Sequence, residues 1–223
     1  MKESAWLACR EPLKLLEWLQ DSGRASDRKL RLFAVACCRR IWHLLAEGAS
    51  RRAVEVAERF ADGLADSRAL AAARGAARAA DDRRDPAARA AKDTTRAVAG
   101  QAAWNACYHA AGAAAGQVGV AGSMQGGSDT AWDAECECQA AILRDLFGPL
   151  PFRTVKAMPT WRTPAVLALA ASIDDEHRFD ETPVLADALE EAGCDNAELL
   201  EHLRRPGPHV RGCYALDFVL GKS

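Results

Sequence analysis

A chain of 223 residues is long enough to bury a core, and its net charge of −2 excludes a protein that holds nucleic acid by bulk charge alone. The 49% hydrophobic content is largely alanine, which has the best helix propensity and little side chain to bury, so close-packed helices are expected rather than a bulky core. Valine and isoleucine are few and no segment alternates with period two, which excludes strands as the main architecture.

The charge is unevenly spread. Arg24 to Arg59 carries nine basic against four acidic residues, and Ala170 to Ser223 carries five against twelve. Either a basic N-terminal lobe lies beside an acidic C-terminal one, or one face meets an oppositely charged partner. No apolar stretch approaches the roughly 20 residues that span a bilayer. Met1 to Gln20 lacks a basic region followed by an apolar run, and the eight cysteines form no regular framework. These features predict a cytoplasmic protein with reduced thiols and no membrane partner.

In chain order, Ser4 to Leu19 reads as a helix in which Pro12 marks a kink or a restart. Ala25 to Leu45 is the strongest helical segment. Ser26 or Asp27 caps it, and Leu30, Phe33, Ala34, Cys37, Ile41, Leu44 and Leu45 form an apolar stripe. Lys29, Arg31, Arg39 and Arg40 fall largely outside that stripe and predict a basic outer face. Ser50 is placed to cap a third helix through Leu64. The Ala/Arg/Asp-rich run 66–99 predicts two helices, the second starting at Pro86 after Asp85. The segment Ala102 to Ala115 follows, with Trp104, Cys107, Tyr108 and Ala111 on one face.

Residues 112–128 hold six glycines and predict a loop, but neither G-x-G-x-x-G nor a Walker spacing, so no phosphate cradle. A helix from Asp129 through Trp132, Cys136, Ala140, Leu143 and Leu146 stops at Gly148 and Pro149. A proline-rich linker over 149–164 leads to three short helices, at Pro164 to His177, Thr182 to Ala192 and Asp195 or Asn196 to Leu203. The last apolar segment, Cys213 to Leu220, is helical or extended. The expected fold is an all-α helical bundle, with N- and C-terminal helices packed together and longer Ala/Arg-rich central helices. It forms one domain over 1–223, with sub-lobes at 1–65, 66–148 and 149–223.

For metal chemistry, helix geometry removes two cysteine pairs. Cys37 and Cys38 point about 100° apart, and Cys136 and Cys138 lie on nearly opposite sides of their helix. The remaining set is Cys194, His202, His209 and Cys213, whose thiolate and imidazole chemistry suits tetrahedral zinc although the spacing is not a zinc signature. The alternative is buried cysteines with surface or capping histidines, and no cofactor. A nucleophilic role for Cys37, Cys38 or Cys213 needs a histidine that the linear sequence does not supply. The acidic run Asp174, Asp175, Glu176, His177, Asp180 and Glu181 reads as a solvated corner rather than a hard-metal site.

Arg39 and Arg40 beside Trp42 have the chemistry for phosphate contact, and the preceding helix and Gly23 turn resemble a loose helix-turn-helix. The pI of about 6.2, and an exposed face without Asn, Gln or Ser to read base edges, argue against nucleic acid. The turn RRPGPHVRGC places Arg204, Arg205 and Arg211 to bind an anion or a partner's carboxylate, or else to pair with the acidic C-terminal helices.

The blocks Ala25 to Trp42 (ASDRKLRLFAVACCRRIW), Leu185 to Cys194 (LADALEEAGC) and Pro206 to Lys222 resemble a multi-copy bacterial family sharing ASDRKLRLFA, CCRRIW and GPHVRGC blocks. Tyr214 stands where the family places a tryptophan after GPHVRGC. The resemblance implies that the two ends belong to one structural unit, and it brings no activity, cofactor or catalytic residue. The sequence thus reads as a non-enzymatic interaction or scaffold domain binding another protein through exposed helix faces. The alternatives are a small zinc module at the C-terminal Cys/His set and a nucleic-acid-binding helical protein.

Overall fold

The computed structural model describes residues 1–45, 48–80, 85–116, 130–153 and 159–222. Among these residues it contains twelve α-helices and no strand, so the protein is all-α. No described helix is long and apolar enough to cross a membrane. The chain divides into two compact units, residues 3–140 and 141–223.

In the first unit, α1 (Glu3–Ala8) and α2 (Pro12–Asp21) are separate helices. Pro12 therefore restarts the chain: it lacks an amide donor, so it fits a first turn, and Glu11 before it is extended. The helix α3 (Asp27–Arg40) is capped by Ser26, whose hydroxyl accepts from the Lys29 amide at 3.3 Å. It stops at Arg40, short of Leu45, and the chain passes through a 3-10 turn at Trp42–Leu44. That turn sets Trp42 beneath the Arg39 and Arg51 guanidiniums, at 4.5 and 5.3 Å from its ring centre.

Every side chain from Lys29 to Cys38 is buried. The helix packs against α4 (Ala49–Ala61), α6 (Pro86–Asp93) and α7 (Ala99–Ala114), while α5 (Ser67–Ala80) covers α4 and α6. The basic outer face expected of α3 is therefore not outer at Lys29 and Arg31. Arg31 instead donates to the carbonyls of Thr94 and Arg96, each at 2.8 Å, and of Ala97 at 3.2 Å, satisfying acceptors just past the end of α6. Such enclosure is possible because α6 and α7 present buried alanines, among them Ala90, Ala91, Ala102, Ala103 and Ala106. Small side chains let helix axes approach.

Local signals are kept elsewhere in this unit. Asp85 caps α6 with Pro86 in the first turn, at 2.8 Å from the Ala87 amide. Gly48, at φ +93°, rather than Ser50, takes the capping position of α4, and Ser50 is buried inside the helix. Most of the glycine-rich stretch 112–128 lies outside the described residues.

The second unit begins within α8 (Thr130–Phe147) and contains α9 (Pro164–Glu176), α10 (Thr182–Glu191), α11 (Ala197–Arg204) and α12 (Tyr214–Leu220). The final apolar segment is helical. A hydrophobic core joins Trp161, Ile173, Leu185, Leu189, Leu203 and Leu216. Thr163 caps α9 and Asn196 caps α11, each accepting from the amide three residues on. Asp174, at the buried end of α9, pairs with Lys222 at 2.6 Å, so the acidic run is not solvated throughout.

Candidate metal centre

Four side chains of the second unit converge on one point. Asp145 projects from α8, His202 from the last turn of α11, His209 from the turn that follows, and Cys213 from the residue before α12. Their donor atoms all lie within 4.8 Å of one another. The Asp145 Oδ1 is 3.1 Å from His202 Nε2 and 2.8 Å from His209 Nδ1, and Cys213 Sγ is 3.2 Å from His202 Nε2 and 3.9 Å from His209 Nδ1.

Local chain geometry explains the arrangement. Pro206, Gly207 and Pro208 cannot continue α11, so the chain leaves it immediately after His202 has been buried. Between Val210 and Cys213 a tight turn closes with the Cys213 amide donating to the Val210 carbonyl at 2.9 Å. Its third residue, Gly212, has φ +87°, a conformation that favours glycine. The turn carries Cys213 back to the side on which His209 lies. Asp145 holds it there, its Oδ2 accepting from the Val210 amide at 3.0 Å.

The outer contacts orient the rings. His209 Nε2 lies 3.2 Å from the Arg205 carbonyl and donates to it, which leaves Nδ1 facing the cluster. A carbonyl on the far ring nitrogen fixes which nitrogen of a histidine keeps its lone pair toward an ion. Tyr214 tilts over the His202 ring at 4.4 Å between centroids, and Gly148 leaves room for it. A Cβ at Gly148 would lie 2.5 Å from Tyr214 Cε1.

Electrostatics follow from burial and from Asp145. Burial pushes the Cys213 thiol well up, and the Asp145 charge reinforces it. Burial also pushes His202 down, against the opposing pull of Asp145. For His209 burial is outweighed by the Asp145 hydrogen bond and charge, so its imidazole titrates above the ordinary value. Burial works to raise Asp145, but the two histidine hydrogen bonds bring its carboxyl below the usual range.

Cys213, His202 and Asp145 are also the residue types of a nucleophilic triad, yet the geometry is wrong for one. A relay needs the carboxylate and the thiol on opposite ring nitrogens. Here both face His202 Nε2, and Nδ1 faces the Arg205 guanidinium at 3.3 Å. The thiol is also fully buried. Donors aimed at a common point are what a metal ion requires.

Of the sequence-predicted ligands, His202, His209 and Cys213 are brought together and Cys194 is not. Cys194 follows α10 and faces the hydrophobic core, and Asp145 occupies the fourth position. The sequence signal for Asp145 was a lone carboxylate between Leu143 and Leu146 of an apolar helix face, all three being buried.

The predicted anion-binding arginines have partners inside their own units. Arg39 donates to Glu58 at 2.7 Å and Arg40 grips both oxygens of Glu135 at 2.9 to 3.0 Å. Arg204 pairs with Asp187 and Glu190 of α10, Arg205 meets His202, and Arg211 lies 3.8 and 3.7 Å from Asp174 and Asp175 of α9. The pairing of the RRPGPHVRGC arginines with acidic C-terminal helices is thus realised for Arg204 and Arg211. Comparison of the chain with protein-family models, with curated proteins and with solved structures found no match.

Proposed function

We propose that the second unit is a zinc-binding module in which Asp145, His202, His209 and Cys213 hold one ion, and that the protein is a non-enzymatic interaction domain built around it. The observation that carries this reading is the convergence of four donors on one buried point. In a tetrahedral zinc site with bonds of about 2.0 to 2.3 Å the ligand atoms stand about 3.3 to 3.8 Å apart. Four of the donor separations run from 2.8 to 3.9 Å and all lie within 4.8 Å, so shifts of about an ångström or less would bring the donors to that spacing around an ion. A set of two imidazoles, one thiolate and one carboxylate is also chemistry that zinc accepts.

Four protein ligands leave no open coordination position, which marks a structural rather than a catalytic centre. The ion would join the end of α8 to α11, the Pro-Gly-Pro turn and the start of α12.

Metal analysis of protein purified without added zinc tests the assignment. One zinc per chain is expected, retained by Cys194→Ser and lost by Cys213→Ser. In cobalt-loaded protein a single thiolate-to-metal charge-transfer band is expected and should vanish in the same variant. A folded chain that takes up neither ion, and whose melting temperature is indifferent to zinc and chelator, would overturn the proposal.

A further inference from the structure

The first unit contains a cleft of about 410 Å3 between α2, α7 and the first part of α8, a size within the range of small-molecule sites. Aromatic rings form one corner of it. Trp104 and Tyr108 lie nearly parallel, 6.5 Å apart between centroids at 13°, and Trp132 stands across Tyr108 at 5.5 Å and 72°. All three rings line the cleft, contributed by α7 and α8. Trp104, which lines the cleft, is 42% exposed.

The α2 side carries three carboxylates, Glu11, Glu17 and Asp21, against one ammonium, Lys14. Lys14 is held by Glu11 at 2.5 Å. Glu17 and Asp21 have no ion-pair partner among the described residues. The lining is thus net negative, with two carboxylates uncompensated.

The floor offers few hydrogen bonds. Both amide donors of Gln139 are taken, by the Cys107 carbonyl and by Glu135, each at 3.2 Å, and its oxygen accepts from the Cys107 thiol at 2.8 Å. Pro12, Leu13 and Ala111 complete an apolar surface. Away from the exposed Gln20 and the half-buried Tyr108, which also line the cleft, a ligand's hydroxyl or amide groups would be left unpaired, at the cost of their desolvation. An anion would meet the carboxylates.

The geometry points to a binding site for a small organic cation with an N-methylated, quaternary ammonium group. Such a head group has no N–H to satisfy, its methyl groups suit the apolar wall, and its charge is attracted both by ring faces and by Glu17 and Asp21. The site lies wholly within the first unit and does not depend on the metal centre.

Choline is the probe, followed by calorimetry and by tryptophan fluorescence, with 3,3-dimethylbutan-1-ol as its uncharged isostere. Saturable binding of one choline per chain is expected, at least tenfold tighter than the isostere. Trp104→Ala should weaken it at least tenfold, and the pair Glu17→Gln and Asp21→Asn should reduce the preference over the isostere. All three side chains are exposed, so circular dichroism should be unchanged in these variants. Equal binding of choline and the isostere, or no saturation by choline at millimolar concentration in the folded protein, would overturn the proposal. Binding of a trimethyllysine peptide with choline excluded would overturn the assignment to a free small molecule.

Discussion

Asp145 Oδ1 and His209 Nδ1 lie 2.8 Å apart, which ties the turn after α11 to α8 across 64 positions of sequence. The same Oδ1 lies 3.1 Å from His202 Nε2, and Oδ2 accepts from the Val210 amide, so three polar groups depend on this carboxylate. Asp145→Ala leaves them buried without that partner. A loss of about 3 to 5 kcal/mol is expected in urea unfolding, together with loss of bound metal.

Gly148 and Tyr214 form the support for His202. Alanine at position 148 meets both a left-handed backbone, φ +49°, and the Tyr214 ring. Gly148→Ala should destabilise the protein by about 1 to 3 kcal/mol. Because Tyr214 packs on His202, metal affinity should fall as well, although no ligand has been changed. Thermal unfolding and a competitive chelator titration separate the two effects.

Arg31 serves three carbonyls beyond α6, and its guanidinium also lies 5.0 Å from the Phe60 ring centre. Arg31→Met keeps much of the side-chain volume but removes all three donors. The expected cost is about 2 to 4 kcal/mol, since buried acceptors left unpaired lose their desolvation energy. Arg31→Lys should fall between, because an ammonium cannot reproduce the planar fork.

Burial first, then the charges of Asp133 and Glu135, push the Cys136 thiol up to about 11. At pH 8 only about one molecule in a thousand carries the thiolate there, and only the thiolate reacts. Alkylation of Cys136 by iodoacetamide, followed by peptide mass spectrometry, should accelerate about tenfold per pH unit and level off only near pH 11. A plateau near pH 8 would contradict the half-buried, acid-flanked environment.

Much of the helical architecture was legible because its signals are local. Ser26, Asp85 with Pro86, Thr163 and Asn196 cap the helices they precede through hydrogen bonds spanning two or three residues. The reading of α3 failed where it relied on an outer face. Periodicity assumes that a polar stripe meets water, but alanine-lined neighbours enclose this helix, and Arg31 finds carbonyls instead.

The sequence alone determined that the chain is helical and that His202, His209 and Cys213 sit within one short segment broken by Pro206, Gly207 and Pro208. Only the tertiary structure decided the fourth donor. Cys194 is nearer in sequence but is carried by the end of α10 into the hydrophobic core, whereas α8 brings Asp145 to the turn from 57 residues before His202. Backbone propensities act over one helical turn, but which helix faces a buried carboxylate toward a distant turn is set by side-chain packing among elements far apart in the chain.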